Sequence, residues 1–130
     1  NLILTPHSLK PIALVDWDMG TRGDPLFDLA TLLSYWTEAD DPPAMHTMAQ
    51  MPTAAEGFQR RDEIAARYGA ATGTDLSDLP VILVLCQFKL ATVFHQLHAT
   101  DGRGPGARDP YRGFAELSLG LYEFAHAGID

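Results

Sequence analysis

The sequence contains one cysteine, Cys86, among 130 residues. A single cysteine excludes an internal disulfide and a zinc site built from several cysteines. A chain without disulfides suits a reducing compartment, so we expect a cytoplasmic protein. Hydrophobic residues make up 46% of the chain, which is the share found in globular proteins. The length suits one domain with one hydrophobic core.

Basic residues are scarce as well. Nine Lys and Arg residues stand against seventeen Asp and Glu residues, which gives a net charge of −8. The basic residues are scattered and form no stripe, so we expect no nucleic-acid binding. Long apolar runs are also missing: none reaches the roughly 18 residues of a membrane span, and we expect no membrane association.

Two short β-prone runs, NLILT and PIALVDW, open the sequence and flank the segment PHSLKP. The prolines and serine between them are turn signals, so we predict an antiparallel hairpin over residues 1–16. Symmetric pairing about this turn places Thr5 opposite Ile12 and Asn1 opposite Asp16. Directly opposed residues have Cβ atoms ~4.5–5.5 Å apart. A slip of one residue would send one of the pair to the other face.

Aspartates are concentrated between the second strand and the first helix: Asp16, Asp18, Asp24 and Asp28. The two glycines of DMGTRG predict a loop over residues 17–24. Asp24 is a good N-cap, and Pro25 suits the first helical position. Asp28 lies in the first turn, where negative charge is favourable. We therefore favour structural roles for Asp24 and Asp28.

The remainder predicts a mostly helical subdomain over residues 25–130, so the fold class is α+β, mostly α, with a β-hairpin followed by about four helices. The predicted helices cover residues 24–36, 57–73, 75–99 and 111–128. The helix at 75–99 is apolar on nearly all sides from Leu79 to Leu97, so we expect it to run through the core. Residues 37–55, with the Met-rich segment 44–52, predict a long, mobile loop that faces the substrate.

Asn1 and Asp16 are predicted at the same end of the hairpin. An amide carbonyl and a carboxylate are hard oxygen donors, and Mg²⁺ takes such ligands together with water and phosphate oxygens. The pair could therefore hold Mg²⁺ on a nucleotide. The other interpretation is a solvated strand-end Asn and a solvated turn Asp, and the spacing alone favours it.

The stretch NLIL…PIALVDWDMGTRGDPLFDLATLLSYW resembles the aminoglycoside phosphotransferase family of kinase-like enzymes. The resemblance is strongest to the branch found beside, or fused to, acyl-CoA dehydrogenases. Such proteins read His-Gly-Asp, then Asn-Leu-Leu/Ile, a hairpin, and an Asp-Trp-Glu/Asp segment that ends in Gly-Asp-Pro and Asp-Leu-Ala. Every element after His-Gly-Asp is present here. The helical region from residue 57 to residue 91 is similar to the same branch.

The resemblance implies the C-terminal lobe portion of a protein-kinase-like fold, and transfer of the γ-phosphoryl of ATP to a small-molecule hydroxyl with the help of Mg²⁺. It makes Asn1 and Asp16 the magnesium ligands. It gives Asp24 and Asp28 a bracing role beneath the site and leaves the role of Asp18 open. Arg22 could reach a phosphate or form an ion pair with Asp18 or Asp24.

The resemblance also implies that the catalytic Asp lies upstream of Asn1, in His-Gly-Asp, so that no catalytic residue is expected in this chain. The nucleotide-binding N-terminal lobe would precede it too, and we expect that lobe to be its partner. The chain begins without methionine, directly in a strand-like run, as a piece of a longer protein would. The alternative is a non-catalytic pseudokinase or a helical interaction module.

Other polar residues give weaker indications. His46 and His98 could line a substrate pocket, and the dehydrogenase-linked branch suggests a hydroxylated acyl thioester as the acceptor. A cationic aminoglycoside would suit the acidic surface.

Cys86 lies among apolar residues and behaves as a small buried hydrophobe. The glycine-rich segment GRGPG is interpreted as a linker, because no strand precedes it.

Overall fold

The computed structural model describes residues 1–18, 20, 22–101 and 113–129. Its elements are β1 (Leu2–Leu4), β2 (Pro11–Leu14), α1 (Pro25–Tyr35), α2 (Pro43–Met48), α3 (Arg61–Thr72), α4 (Leu79–Asp101) and α5 (Phe114–Ala127). The predicted fold class, α+β and mostly helical with one antiparallel hairpin, is confirmed. The described part holds five helices where about four were predicted.

The hairpin forms as predicted, but its predicted register is wrong, by two residues next to the turn and by one residue at Asn1. Leu2 pairs with Leu14, and the Val15 N–H donates to the Asn1 carbonyl at 3.0 Å, so Asn1 lies opposite Val15. The shift starts at the turn, where Thr5 donates its N–H to the Lys10 carbonyl at 2.9 Å. Leu9 closes that turn in the left-handed region, with φ 51°.

A register irregularity between Ile3 and Leu4 then adds one residue on β2, so that Ile3 pairs with Ala13 and Leu4 with Pro11. Such a bulge places two residues of one strand opposite one of the other. The predicted pairing of Asn1 with Asp16 failed because the turn sets a register two residues away from the symmetric one, and the bulge restores only one of them.

Helix α1 begins where the sequence predicted. The Asp24 Oδ1 accepts a hydrogen bond from the Leu26 N–H at 2.9 Å, and Pro25 occupies the first helical position. Its side chain thereby satisfies one of the free N–H groups at the helix start. The helix buries Leu26, Leu29 and Leu33 on one side.

Two hydrophobic clusters hold the helices together, and α4 contributes to both. The first joins α1 to the start of α4 and contains Leu26, Leu29, Ala30, Leu33, Leu79, Ile82 and Cys86. The second joins α2, α5 and the middle of α4 and contains Met45, Met48, Leu90, Ala91, Phe94, Leu117 and Leu121. Helix α4 is therefore the central element around which the helical part is packed.

The prediction of a long loop over residues 37–55 is wrong in part, because this segment contains α2. Met45 and Met48 are buried, with exposed fractions of 0% and 5%. Their spacing of three places both on one side of a helical turn, and Pro43 lies at the start of that turn. These methionines are core residues and do not form a substrate-facing surface.

The prediction that α4 runs through the core holds for the sides that join the two clusters, but not for its whole surface. Val81, Leu85 and Phe88 are exposed by 66%, 53% and 56%. Tyr122 of α5 contacts the Phe88 ring, with ring centroids 5.1 Å apart, and the three side chains still leave an apolar surface exposed in the described part of the chain. The span Leu79–Thr100 is long and apolar enough to cross a membrane by length and composition alone, with a mean hydropathy of 1.4. Core helices pass the same test.

The other predicted helices form, although α3 and α4 each begin four residues after the predicted start. Helix α3 ends at Thr72, and Gly73 follows in the left-handed conformation, with φ 72°, as predicted for a helix stop. Helix α5 begins at Phe114. The predicted linker that contains GRGPG, and the predicted helix start at residue 111, lie outside the described residues.

Gly120 of α5 lies against α2, and a side chain there is expected to force the helices apart. A Cβ on Gly120 would lie 2.6 Å from the Ala44 Cβ. We expect Gly120→Ala to lower the free energy of unfolding by about 1–3 kcal/mol, although alanine favours helices. The control is Gly113→Ala, where a Cβ meets nothing within 4 Å. Urea unfolding measures both, and an unchanged stability of Gly120→Ala would contradict the close packing.

Candidate functional site

The candidate site is the loop after β2, where Asp16 adopts an unusual backbone conformation. Its φ is 70°, in the left-handed region. Non-glycine residues seldom adopt this region, although Asp and Asn tolerate it better than most. Strained backbone of this kind is often found at functional sites. The carboxylate is exposed and therefore accessible to a ligand.

Asn1 lies beside this loop, because the Val15 N–H bonds to the Asn1 carbonyl and Asp16 follows Val15 in the chain. Asp16 lies outside β2, and its left-handed φ breaks the alternation of side chains along the strand. The one-residue register shift therefore does not by itself fix the face to which the carboxylate points. Asn1 is exposed as well.

The two side chains fit a hard divalent cation in their chemistry. An amide oxygen and a carboxylate are ligands that Mg²⁺ accepts, and it usually completes its shell with water and phosphate oxygens. Among the described residues no group of three or more His, Cys, Asp and Glu could hold a metal ion. A metal held by Asn1 and Asp16 would thus depend on oxygens from outside the chain, as one on a nucleotide does. The assignment of this pair stays a prediction.

Trp17 and Gly20 shape the loop. The sequence analysis used Gly20 to predict the loop but missed the role of Trp17. The Trp17 Nε1–H donates to the Leu14 carbonyl at 2.9 Å, and the Trp17 carbonyl accepts from the Gly20 N–H at 2.9 Å. A Cβ on Gly20 would lie 2.9 Å from the Trp17 oxygen, so the turn needs glycine. The position of Trp17, three residues after Leu14, gave no sequence signal of such a bond.

The other aspartates of this region include two with the structural roles expected from the sequence. Asp24 caps α1, and Asp28 lies exposed in its first turn, so both have structural explanations. Asp18 and Arg22 are exposed. In the described part of the chain, every ion pair involves Arg60 or Arg61, so Arg22 pairs with neither Asp18 nor Asp24 there.

The two candidate substrate histidines lie on different helices. His46 is exposed on α2, and His98 is half-buried in the last turn of α4. Their role in substrate binding stays a prediction.

Arg61 connects several segments of the helical part, and no sequence pattern predicted this role. Its guanidinium bonds to the Asp41 carboxylate and to the carbonyls of Leu33 and Trp36, and lies 3.6 Å from Glu38 Oε2. These groups belong to the end of α1 and to the segment that leads to α2. Only 14% of the Arg61 side chain is exposed.

Arg60, the neighbour of Arg61, forms comparable ion pairs at the surface. It contacts the Glu38 carboxylate at 2.8 Å and Asp40 at 3.2 Å, with 55% of its side chain exposed. The hydrogen bond from Arg60 holds the pKa of the Asp40 carboxyl below its ordinary value. The two arginines therefore form similar pairs in very different surroundings.

The model of the phosphotransferase enzyme family matches residues 1–70, more than half of the chain. The chain belongs to this family. No curated protein and no solved structure matches it. The match covers the hairpin, the Asp16 loop, α1, α2 and most of α3, whereas α4 and α5 lie beyond it.

Membership in the phosphotransferase family confirms the family resemblance noted in the sequence, and the α+β fold is consistent with a C-terminal fragment of a kinase-like protein. Phosphotransferases of this family generally use ATP and divalent metal ions. Asn1, Asp16, Asp24 and Asp28 all fall within the matched residues.

Proposed function

We propose that this chain is the magnesium-binding and substrate-side part of an ATP-dependent phosphotransferase that acts on a small-molecule hydroxyl. The observation that carries the proposal is Asp16. This exposed carboxylate occupies a left-handed position directly after β2 and beside Asn1, inside the residues that match the family. Non-glycine residues in this conformation are concentrated at functional sites.

In this proposal Asn1 and Asp16 hold Mg²⁺, which neutralises charge on the nucleotide phosphates when it is bound. The other loop residues keep the carboxylate in position. The bond from Trp17 to Leu14 and the turn at Gly20 fold the loop back on the hairpin, and the Asp24 cap fixes its far end to α1. Such preorganisation favours phosphoryl transfer, which depends on positioning and charge more than on covalent chemistry.

The exposed hairpin supports the proposal that residues 1–130 are one part of a larger enzyme. All residues of β1 and β2 are exposed, among them Leu2, Ile3, Leu4, Ile12 and Leu14. An isolated two-stranded hairpin is marginally stable in water. Packing against an N-terminal lobe that also brings the nucleotide contacts and the catalytic Asp would bury these side chains.

The proposals for the acceptor class and for the location in the cell rest on the sequence. We propose an acceptor of the hydroxylated acyl-thioester class, because the chain resembles the branch linked to acyl-CoA dehydrogenases. We also propose a cytoplasmic location, which suits a chain with one cysteine, and Cys86 is buried and free.

A thermal-shift titration of the full-length protein tests nucleotide binding. We expect Mg-ATP to raise the melting temperature, because a ligand at a hundredfold excess over Kd stabilises the native state by about 2.7 kcal/mol. The matched control is ATP with EDTA, which we expect to give a smaller shift. Equal shifts with and without Mg²⁺ would contradict the metal site.

ATP turnover separates the enzyme from its alternative, the pseudokinase or helical interaction module. An enzyme consumes ATP when its acceptor is present, whereas a pseudokinase binds the nucleotide and leaves it intact. The residues just upstream of Asn1 in the full-length protein give an independent test. His-Gly-Asp there supports catalysis, and a replaced Asp supports the alternative.

A further inference from the structure

Helix α4 carries a second repeating pattern in addition to the positions that form the core. The positions of this seam alternate steps of three and four residues: Asp78, Val81, Leu85, Phe88, Thr92, His95 and Ala99. This is the heptad spacing by which one helix packs along another. The first four positions of the seam, Asp78, Val81, Leu85 and Phe88, are exposed, and so is His95. Thr92 and Ala99 are half-buried.

A hollow of about 290 Å³ lies beside the seam and could receive a side chain of a second helix. Its wall is formed by Pro80, Val81, Val84, Leu85, Gly128 and Ile129. In helix pairs of this kind, a large side chain of one helix enters a hole made by four residues of the other. Val81, Val84 and Leu85 are three sides of such a hole, and Phe88 on the same seam is a side chain of suitable size.

The polar ends of the seam indicate what covers it. If two copies pair antiparallel about a two-fold axis between Leu85 and Phe88, each Leu85 lies opposite the Phe88 of the other copy. The same register places each Asp78 opposite the His95 of the other copy. A carboxylate then faces an imidazole at both ends of an apolar centre. Parallel pairing would place Asp78 against Asp78 instead.

We propose that the α4 seam is a homodimer interface in which two copies of this chain pair antiparallel through Val81, Leu85 and Phe88. The interface is isologous, since the same surface serves both copies. It lies on α4, beyond the residues that match the phosphotransferase family. The proposal is therefore independent of the proposed function, and either can fail without the other.

Sedimentation velocity of the full-length protein tests the proposal. We expect a dimer, and we expect Leu85→Glu to convert it to a monomer with an unchanged circular dichroism spectrum, because Leu85 is exposed within one copy. The matched control is Val93→Glu, an apolar residue of the same helix that is 39% exposed and lies off the seam. This control is expected to stay dimeric. A monomeric parent protein would overturn the proposal.

A charge exchange tests the antiparallel register itself. We expect Asp78→Lys and His95→Asp, each alone, to raise the dimer dissociation constant about tenfold, because the first removes the carboxylate that faces the imidazole and the second places two carboxylates opposite one another. The double variant is expected to return to within about threefold of the parent. Failure of the double variant to recover would overturn the proposed pairing. Flotation of the protein with phosphatidylcholine vesicles, abolished by Leu85→Glu, would assign the seam to a membrane instead.

Discussion

Replacement of Asp16 by alanine in the full-length protein is expected to lower ATP turnover by at least about a hundredfold, with the fold retained. The exposed carboxylate makes no packing contribution to the core, so its loss removes charge at the site and little else. Turnover with Mg-ATP measures the activity, and the circular dichroism spectrum reports the fold. Turnover that survives in Asp16→Ala would refute the assignment of Asp16.

The variant Asp16→Gly separates the role of the side chain from that of the backbone. Glycine adopts a φ of 70° without strain, so we expect a gain in stability of up to about 1 kcal/mol together with the same loss of turnover. Leu9→Gly is the matched control, because Leu9 also has a left-handed φ, 51°, in an exposed turn of the same hairpin. It is expected to gain stability and keep its turnover.

Replacement of Arg61 by methionine is expected to lower the free energy of unfolding by about 3–5 kcal/mol. Methionine keeps much of the side-chain length but leaves Glu38 and Asp41, with 10% and 6% of their side chains exposed, without this cation. The carbonyls of Leu33 and Trp36 lose a donor as well. Urea unfolding followed by circular dichroism measures the loss.

Arg60→Met provides the control for Arg61→Met, since the two arginines are neighbours with the same charge and both pair with Glu38. Arg60 is mostly exposed, and we expect its replacement to cost less than about 1 kcal/mol. Similar losses in the two variants would show that burial is not what makes the Arg61 network important.

Local signals predicted much of the helical part correctly. Asp24 followed by Pro25 marked the start of α1, and Gly73 marked the end of α3. Capping depends on a few neighbouring residues, so it can be read from the sequence. The two β-prone runs around a proline-rich turn likewise predicted the hairpin. The element missed was α2, since proline-rich flanks and a length of six residues hid the helical spacing of Met45 and Met48.

The candidate site was predictable only in part. The order of motifs from Asn1 to Asp28 indicated the phosphotransferase family and named Asp16 as its central residue. The positive φ of Asp16 and the bond from Trp17 to Leu14 carry no sequence signature. An aspartate can adopt a left-handed conformation, but its presence does not mean that it does. The hairpin register failed for a similar reason, because the turn that sets it, with Leu9 in the left-handed region, is a property of the folded backbone.

The sequence by itself determined most of the elements, several of their ends, the family, and which carboxylates cluster after the second strand, because these depend on residues close together in the chain. Only the tertiary structure decided which faces are covered. The burial of Arg61 and the exposure of Leu85 result from contacts between distant segments. Apolar residues on every side of α4 could not reveal which side its neighbours would leave open.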